Sequence, residues 1–227
     1  MSNIGKPNRQ LWYEVNMPQE AEELHPNAYM KFMIGDLIEE VVLFLAGQAG
    51  HTVEAQQDEI EIAGIKGHID AVVDGTVIDV KSASPYSFQK FEKGLKEEDD
   101  SFGYRSQIQG YIEGMKDKEA ISDGSRGAFL ALQKVTGDLT LDVHPKTNED
   151  IVAMIEEKKR VVASPEIPER CYEPIPDGKS GNLILGVQCS YCSFKKICHP
   201  DLKAYKFYGG PKYFTHIERE PNVPRIY

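Results

Sequence analysis

Apolar residues recur at helical spacing near the beginning of the chain and again past its middle. Between Asn27, a candidate N-cap, and Gly47 they fall on one broad face, which predicts the first core helix. Residues 147–163 predict a second amphipathic helix, for which Thr147 is the capping candidate. The face of the first helix comprises Met30, Met33, Ile34, Leu37, Ile38, Val41, Phe44 and Leu45.

Short β-branched segments, separated by turn residues, predict strands between these helices. Residues 59–82 contain three of them, which we expect to be adjacent and antiparallel, with a tight Asp-Gly turn at residues 74–75. Residues 126–145 contain a further strand segment, which a turn near residues 137–138 divides into two paired strands. Residues 86–116 have a helical pattern on both sides of an acidic break. This order of elements predicts an α/β core with a mixed sheet.

The distribution of cysteines divides the 227 residues into three parts. All four cysteines lie after residue 170, in a segment that has little apolar periodicity of its own. Such a segment needs metal or covalent cross-links to fold. We therefore predict an N-terminal arm over residues 1–26, an α/β core over residues 27–163 and a cysteine-stapled tail over residues 164–227.

Composition and charge restrict the location and the partners. No segment is long and apolar enough for a signal sequence or a membrane span, which predicts a cytoplasmic protein in which disulfides are rare. The net charge of −10 argues against a protein that coats nucleic acid without specificity, but residues 166–227 carry net +2. Lysines and aromatic rings alternate over residues 179–214, which suits contact with phosphates and unpaired bases, although the same rings could form a small core.

Two carboxylates and an ammonium are predicted to meet on one face of the sheet. Asp79 and Lys81 are two residues apart in a strand and share a face, and the hairpin turn puts Asp70 opposite Asp79. An ordinary surface ion pair is one interpretation, but the adjacent strand residues are apolar on both faces, and charges in a covered sheet are costly unless they bind something. Carboxylate oxygens suit Mg²⁺ or Mn²⁺, and the lysine could orient or deprotonate a water or neutralise an oxyanion.

These residues resemble a known nuclease signature. Asp70, followed by Asp-Val-Lys at residues 79–81, is similar to the motif of the PD-(D/E)XK nuclease superfamily. Residues 107–111 (QIQGY) match the Q-x-x-x-Y element of RecB-type and phage-type exonucleases, and residues 35–39 (GDLIE) resemble the helix that donates a further metal ligand. The resemblance implies a restriction-endonuclease-like core in which a mixed β-sheet is flanked by helices.

The same resemblance implies a role for each matching residue. Lys81 would position or activate the water, and Gln107 and Tyr111 would contact the DNA backbone or order the lysine. The implied ligands of Mg²⁺ or Mn²⁺ are three carboxylates and a backbone carbonyl: Glu39, Asp70, Asp79 and Val80. Glu40 lies nearer the apolar helix face than its neighbour and is kept as the alternative helix ligand. We interpret His51 and His68 as structural or DNA-contacting residues rather than ligands.

The four cysteines, Cys171, Cys189, Cys192 and Cys198, are candidate ligands of a second inorganic group. Four thiolates fit either a [4Fe–4S] cluster or tetrahedral Zn²⁺, and His199 could replace one of them. The spacing of the last three resembles that of helicase-nuclease subunits and CRISPR-associated exonucleases with iron–sulfur clusters, which favours [4Fe–4S]. Those families place the fourth cysteine before the nuclease core, whereas Cys171 follows it, so the cluster would cross-link only the tail.

The resemblance implies an Mg²⁺- or Mn²⁺-dependent deoxyribonuclease. We predict an exonuclease that hydrolyses phosphodiester bonds at DNA ends or in single strands, for DNA recombination, repair or degradation. The alternatives are a non-catalytic DNA-end-binding recombination accessory and a structure-specific endonuclease or resolvase on the same fold. The predicted partners are DNA and a helicase or single-strand annealing or binding protein, since the chain has no GxxxxGK[ST] motif. The likeness to phage enzymes implies the host cytoplasm as the location.

Overall fold

The computed structural model describes residue 1 and residues 3–227. The helices are α1 Asn8–Asn16, α2 Pro26–Gln48, α3 Pro85–Glu92, α4 Tyr104–Met115, α5 Ile151–Ala163, α6 Val187–Ser190 and α7 Lys195–Cys198. The strands are β1 Val53–Glu54, β2 Glu59–Ile62, β3 Ile65–His68, β4 Ala71–Val73, β5 Thr76–Ala83, β6 Arg126–Gln133, β7 Leu139–Pro145, β8 Ile175–Pro176, β9 Leu183–Ile184, β10 Lys203–Phe207 and β11 Gly210–His216. Among the described residues, no helix combines the length and apolar character that a membrane crossing requires.

The chain forms two compact units, and their bounds differ from the predicted division, above all in the N-terminal residues. The first unit contains residues 1–5 and 25–159, and the second contains residues 6–24 and 160–227. Residues 6–24, which the sequence pattern assigned to an arm, therefore cluster with the cysteine-rich segment. The arm also contains a regular element, since α1 occupies nine of its residues.

The first unit is built on the predicted mixed sheet. Its strand order is β1-β4-β5-β6-β7, in which only β5 and β6 are parallel. The β4–β5 hairpin turns at residues 74–75 and the β6–β7 hairpin turns after residue 133, both as predicted. The three-strand prediction over residues 59–82 is wrong in detail, because β2 and β3 form a separate hairpin and residues 69–70 interrupt the segment between β3 and β4.

Helices cover both faces of this sheet. On one face α2 packs through Val42 and Leu43 against Ile78, Val80 and Ala128. The opposite face packs against α3 and α4, and this larger core contains Phe88, Phe91, Ile108, Ile112, Val77 and Phe129. The two layers hold β5 and α4 in fixed positions, and these are the elements that carry most of the predicted site.

The predicted orientation of α2 is wrong. Of its eight expected core residues only Ile38 packs against the sheet, while the other seven are exposed. The helix has apolar residues on two sides, so its periodicity does not show which side faces the sheet. Its N-cap is His25, whose Nδ1 accepts a hydrogen bond from the Asn27 backbone N–H at 3.2 Å.

The predicted cap of the last helix of the first unit is also wrong. The helix α5 begins at Ile151 rather than at residue 147. Asp150 Oδ1 accepts a hydrogen bond from the Ala153 backbone N–H at 2.9 Å, which is the capping interaction of an N-cap residue. Thr147 instead donates its backbone N–H to Gln109 Oε1 at 2.8 Å.

The second unit combines a small sheet with α1. The strand order is β10-β11-β9-β8, and all pairs are antiparallel. Trp12 and Tyr13 of α1 form a small core with Phe194, and Tyr13 stacks on Phe194 with ring centroids 5.5 Å apart. The indole N–H of Trp12 donates to the Ser164 carbonyl at 2.8 Å. These long-range contacts explain why residues 6–24 belong to this unit.

Candidate active site and cysteine cluster

The β4–β5 hairpin sets the positions of the two predicted aspartates. Ala71 pairs with Ile78, and one further step of this antiparallel register brings Asp70 beside Asp79. Asp70 Oδ2 accepts a hydrogen bond from the Val80 backbone N–H at 2.6 Å, which ties the loop before β4 to β5. The predicted juxtaposition of the two carboxylates is therefore present in the first unit.

Asp79 is the most deeply buried of the candidate carboxylates, with 1% of its surface exposed. Its Oδ1 accepts a hydrogen bond from Gln107 Nε2 at 3.1 Å, and its Oδ2 lies 2.5 Å from Lys81 Nζ. Lys81 is an ion-pair partner of Oδ2, and no other described group forms a well-directed hydrogen bond with this oxygen. A carboxylate oxygen with a single cationic neighbour keeps a lone pair that can bind a metal cation.

Aromatic rings and the Asp79 carboxylate surround the Lys81 ammonium. Its Nζ lies 4.7 Å from the centre of the Tyr104 ring and 5.9 Å from that of Phe129. Burial alone would lower the pKa of Lys81, but the charge and hydrogen bonding of Asp79 outweigh burial and raise it. Burial raises the pKa of the Tyr104 phenol. The lysine is thus held in its charged form at the edge of the site.

The helix α2 contributes Glu39 rather than Glu40. Glu39 lines the same cavity as the aspartates, and Glu40 does not. Gln57, which no sequence motif singled out, donates its Nε2 to Glu39 Oε1 at 2.5 Å and its backbone N–H to the Asp70 carbonyl at 3.1 Å. Gln57 has a φ of 56°, in the left-handed region. One turn residue therefore contacts the helix carboxylate and the loop of the first aspartate.

The three carboxylates disfavour one another's charge. Burial, together with the negative charges of Asp79 and Glu39, raises the pKa of Asp70 to about 7. Burial also raises the pKa of Glu39, against the opposing hydrogen bond from Gln57, and it raises the pKa of Asp79 against the opposing charge of Lys81. Mutual repulsion in a buried cluster is the condition that a bound cation relieves.

All seven residues that the resemblance implicates line one open cavity of about 690 Å³, the acidic cavity: Glu39, Asp70, Asp79, Val80, Lys81, Gln107 and Tyr111. Gln107 and Tyr111 share a face of α4, and Gln107 Nε2 also donates to the Tyr111 hydroxyl at 2.8 Å. His68 lines the cavity as well, whereas His51 contacts Asp74 Oδ2 at 2.7 Å outside it. The donor set, three carboxylates with an incompletely satisfied oxygen, fits a hard divalent cation.

The four cysteines of the second unit are reduced and line a separate cavity of about 40 Å³, the cysteine cavity. Arg9 and Tyr13 of α1 also line it, as does His199. The Arg170 side chain donates from Nη2 to the Cys198 carbonyl at 3.0 Å. No local sequence pattern signals that α1 lines this cavity, because α1 and the cysteines lie far apart in the chain.

Electrostatics in the cysteine cavity favour neutral thiols when no cation is bound. Burial, together with the charges of the other three cysteines, raises the pKa of Cys189 to about 11. Burial also raises the pKa of Cys192. A thiophilic cation would reverse this preference, and four thiols around one cavity suit such a cation. However, among the described residues no group of three or more His, Cys, Asp or Glu side chains has the geometry of a complete metal site.

Many of the tail's rings and lysines contact one another. Lys195 lies 5.0 Å from the Tyr213 ring centre, and Lys212 lies 4.8 Å from that of Phe207. Tyr205 and Phe214 are buried, and Tyr208 is fully exposed. Phe194 is also buried and Tyr191 is also exposed, so these rings divide between the two interpretations.

Comparison with known proteins identifies the family. No curated protein matches the chain significantly. One similar solved structure, "Crystal structure of SSO0001", has 18% sequence identity and a TM-score of 0.47, and the match covers 87% of this chain and 83% of that one. A family model described as the PD-(D/E)XK nuclease superfamily matches residues 4–199. The chain belongs to the PD-(D/E)XK nuclease superfamily.

Proposed function

We propose that this nuclease is an Mg²⁺- or Mn²⁺-dependent deoxyribonuclease that acts as an exonuclease on DNA ends or single strands. The observation that carries the proposal is the acidic cavity, which gathers three carboxylates and the Lys81 ammonium at one site. Family membership supports phosphodiester hydrolysis. The exonuclease mode rests on the QIQGY element of α4, which resembles that of RecB-type and phage-type exonucleases.

Glu39, Asp70, Asp79 and the Val80 carbonyl would hold the cation. When bound, it supplies positive charge that offsets the carboxylates and polarises the scissile phosphate. Hydrolysis adds water to phosphorus and breaks the bond to the departing nucleoside oxygen, which gives a phosphomonoester and an alcohol. The residues of the chain hold the phosphate and the water in register for that exchange.

Lys81 stabilises the negative charge that develops on the phosphate. Its ion pair with Asp79 and its contact with the Tyr104 ring fix the ammonium in place, so no reorganisation is needed during the reaction. Gln107 holds Asp79 through Oδ1 and leaves Oδ2 for other partners. Tyr111 in turn accepts a hydrogen bond from the same amide, which fixes the orientation of Gln107.

The cysteine cavity is proposed to hold a structural [4Fe–4S] cluster, with Zn²⁺ as the alternative. Support comes from the four thiols around one cavity and from the spacing of the last three cysteines. The absorption spectrum of anaerobically purified protein separates the two. A broad visible band supports the cluster, whereas a colourless protein that contains zinc supports the alternative.

Cleavage of labelled linear DNA tests the proposed activity. We expect Mn²⁺-dependent cleavage that EDTA abolishes, and a loss of about a thousandfold or more on Asp79→Asn, because several kcal/mol of charge stabilisation is removed. Asp74→Asn is the matched control, since Asp74 is exposed and bonded to His51 outside the cavity. DNA binding without cleavage in wild-type protein, with or without Mn²⁺, would contradict the proposal.

A circular single-stranded substrate tests the mode. An exonuclease leaves circular DNA intact and degrades the same molecule after linearisation. If the circle is cleaved as fast as the linear form, the enzyme is an endonuclease and not an exonuclease. Addition of a helicase or a single-strand binding protein then tests whether such a partner increases degradation of duplex ends.

A further inference from the structure

The edge strand β7 of the first unit has an inverted burial pattern. Its apolar side chains, Leu139, Leu141 and Val143, are 48–56% exposed, while Asp142 and His144 are buried. The buried pair is well satisfied, since Asp142 Oδ2 accepts the Leu95 backbone N–H at 2.8 Å and contacts His144 Nε2 at 2.9 Å. A strand that turns its apolar side outward indicates that something covers that side.

A second apolar surface lies on the side of α2 that faces away from the sheet. Met30, Ile34, Leu37, Val41 and Phe44 are each 41–63% exposed. Their spacing of four, three, four and three residues is that of a heptad seam, which packs against another helix. β-Branched residues occupy the two a positions, residues 34 and 41, and leucine occupies the d position between them, a choice that favours two-stranded association.

A groove of about 630 Å³ lies between α2 and β7, and Leu45, one helical turn after the seam residue Val41, connects this groove to the seam. Leu45 and Ala46 of α2 form one wall, and the outward side chains of β7 form the other. Ile78, Ala128 and Leu130 of the sheet lie at its floor. The α2–β7 surface is therefore continuous, and its exposed members are Met30, Met33, Ile34, Leu37, Val41, Phe44, Leu45, Leu139, Leu141 and Val143.

The size of the α2–β7 surface indicates that another molecule covers it. Ten large apolar side chains, each about half exposed, present about 900 Å², whereas the largest apolar patch of a typical monomer is about 300–600 Å². A stable protein–protein interface of standard size needs about 800 Å² from each partner. The surface alone thus suffices for one partner of a stable dimer.

The chemistry of the surface selects a second copy over nucleic acid. None of the ten side chains is charged, and the lysines and arginines that contact phosphates are missing from it. The one Lys or Arg among the described residues that line the groove is Arg126, whose Nε lies 3.0 Å from Asp123 Oδ2. A copy of α2 has the length and heptad spacing to match the seam, and the groove beside it has the apolar lining to receive such a helix.

We propose that the chain forms a two-fold dimer in which α2 of one copy packs beside α2 of the other, over the exposed side of β6 and β7. The interface is isologous, since the same helix and the same groove serve both copies. It buries the second apolar side of α2 and the outward side of β7 at once. The proposal does not depend on the nuclease chemistry, although Glu39 projects from the same helix.

Sedimentation equilibrium of the full chain between about 1 and 100 µM tests the dimer. We expect a dimer in wild-type protein and at least about thirtyfold weaker association for Leu37→Asp and for Leu141→Asp, because each places a charge in a buried interface. Val135→Asp is the matched control, as Val135 is 76% exposed and outside the surface. It should associate as wild type does.

Circular-dichroism melts and the milder Leu37→Gln separate loss of association from loss of folding. Variants that keep the wild-type circular-dichroism spectrum, unfold cooperatively and sediment as monomers support the interface, and their melting temperature should lie below that of the dimer because they lack the stabilisation by association. A wild-type protein that is monomeric at 100 µM would overturn it, as would a dimer that both charged variants retain at full strength. Co-sedimentation of monomeric wild type with vesicles of neutral phospholipid would also overturn it in favour of a membrane surface.

Discussion

The acidic cavity and the cysteine cavity are built in opposite ways. The carboxylates of the first lie on one long helix, on a strand of the sheet and in the loop that precedes β4. Hydrogen bonds from Val80, Gln107 and Gln57 orient them before any cation binds. The cysteines of the second sit on four-residue helices and connecting segments, around a cavity of about 40 Å³. The fold of the first unit therefore holds the acidic cavity in place without a cation. In the second unit, by contrast, we expect a group bound by the cysteines to stabilise the fold.

The difference matters because it separates catalysis from stability. A cation in the acidic cavity would relieve repulsion among groups that the first unit already holds in place. A metal or cluster in the cysteine cavity would cross-link segments that have a small core of their own. Changes at the acidic cavity should thus alter activity, and changes at the cysteine cavity should alter folding of the second unit.

The largest expected effect is loss of structure in the second unit on Cys192→Ser. Structural metal sites contribute about 10 kcal/mol of apparent folding free energy, so their loss exceeds the stability of a small unit. Hydrogen exchange measured by mass spectrometry should show lost protection over residues 6–24 and 160–227, with residues 25–159 unchanged. Ser193→Ala is the control, and an unchanged exchange pattern in the cysteine variant would show that the cysteines hold no structural metal.

A smaller effect is expected from Tyr13→Ala, which tests whether α1 belongs to the second unit. The ring stacks on Phe194 and is buried, so its truncation should lower the unfolding free energy of that unit by about 3 kcal/mol. Denaturant titration with exchange readout over residues 160–227 measures the change. Val15→Ala, at an exposed position of the same helix, should have little effect. If both variants have the same unfolding free energy, residues 6–24 do not stabilise the second unit and are better described as an arm.

The smallest effect is expected from Gln57→Ala in the acidic cavity. Loss of its hydrogen bonding to Glu39 should weaken Mn²⁺ binding about tenfold, as loss of an outer-shell partner does in other metal sites. Thermal unfolding should barely change, since Gln57 is exposed. The neighbouring Gln56→Ala serves as the control for the turn itself. Identical Mn²⁺ affinity in the two variants would show that Gln57 does not support the ligand set.

Local rules in the sequence predicted the arrangement of the side chains in the acidic cavity. Asp79 and Lys81 share a strand face, and the turn at residues 74–75 sets the register that brings Asp70 to them. Gln107 and Tyr111 are one helical turn apart and therefore adjacent. Each of these relations depends on a fixed period or on a short hairpin, so the order of residues along the chain is sufficient to derive it.

The errors have a common physical cause, which is dependence on contacts between distant segments. Gln57 reaches Glu39 through a left-handed turn that the motif does not reveal. The side of α2 that meets the sheet depends on which of two apolar sides finds a partner. Residues 6–24 look irregular in isolation, and Trp12 finds its hydrogen-bond acceptor 152 residues away. Periodicity carries no information on such pairings.

The central claim is that the carboxylates of the acidic cavity bind the cation on which hydrolysis depends. Titration of the full chain with Mn²⁺, followed by electron paramagnetic resonance of the free ion, tests it directly. Wild type and Asp74→Asn should bind Mn²⁺ in the same way, and Asp79→Asn should lose that binding while its circular-dichroism melt stays unchanged. Equal stoichiometry and affinity in all three proteins would contradict the claim.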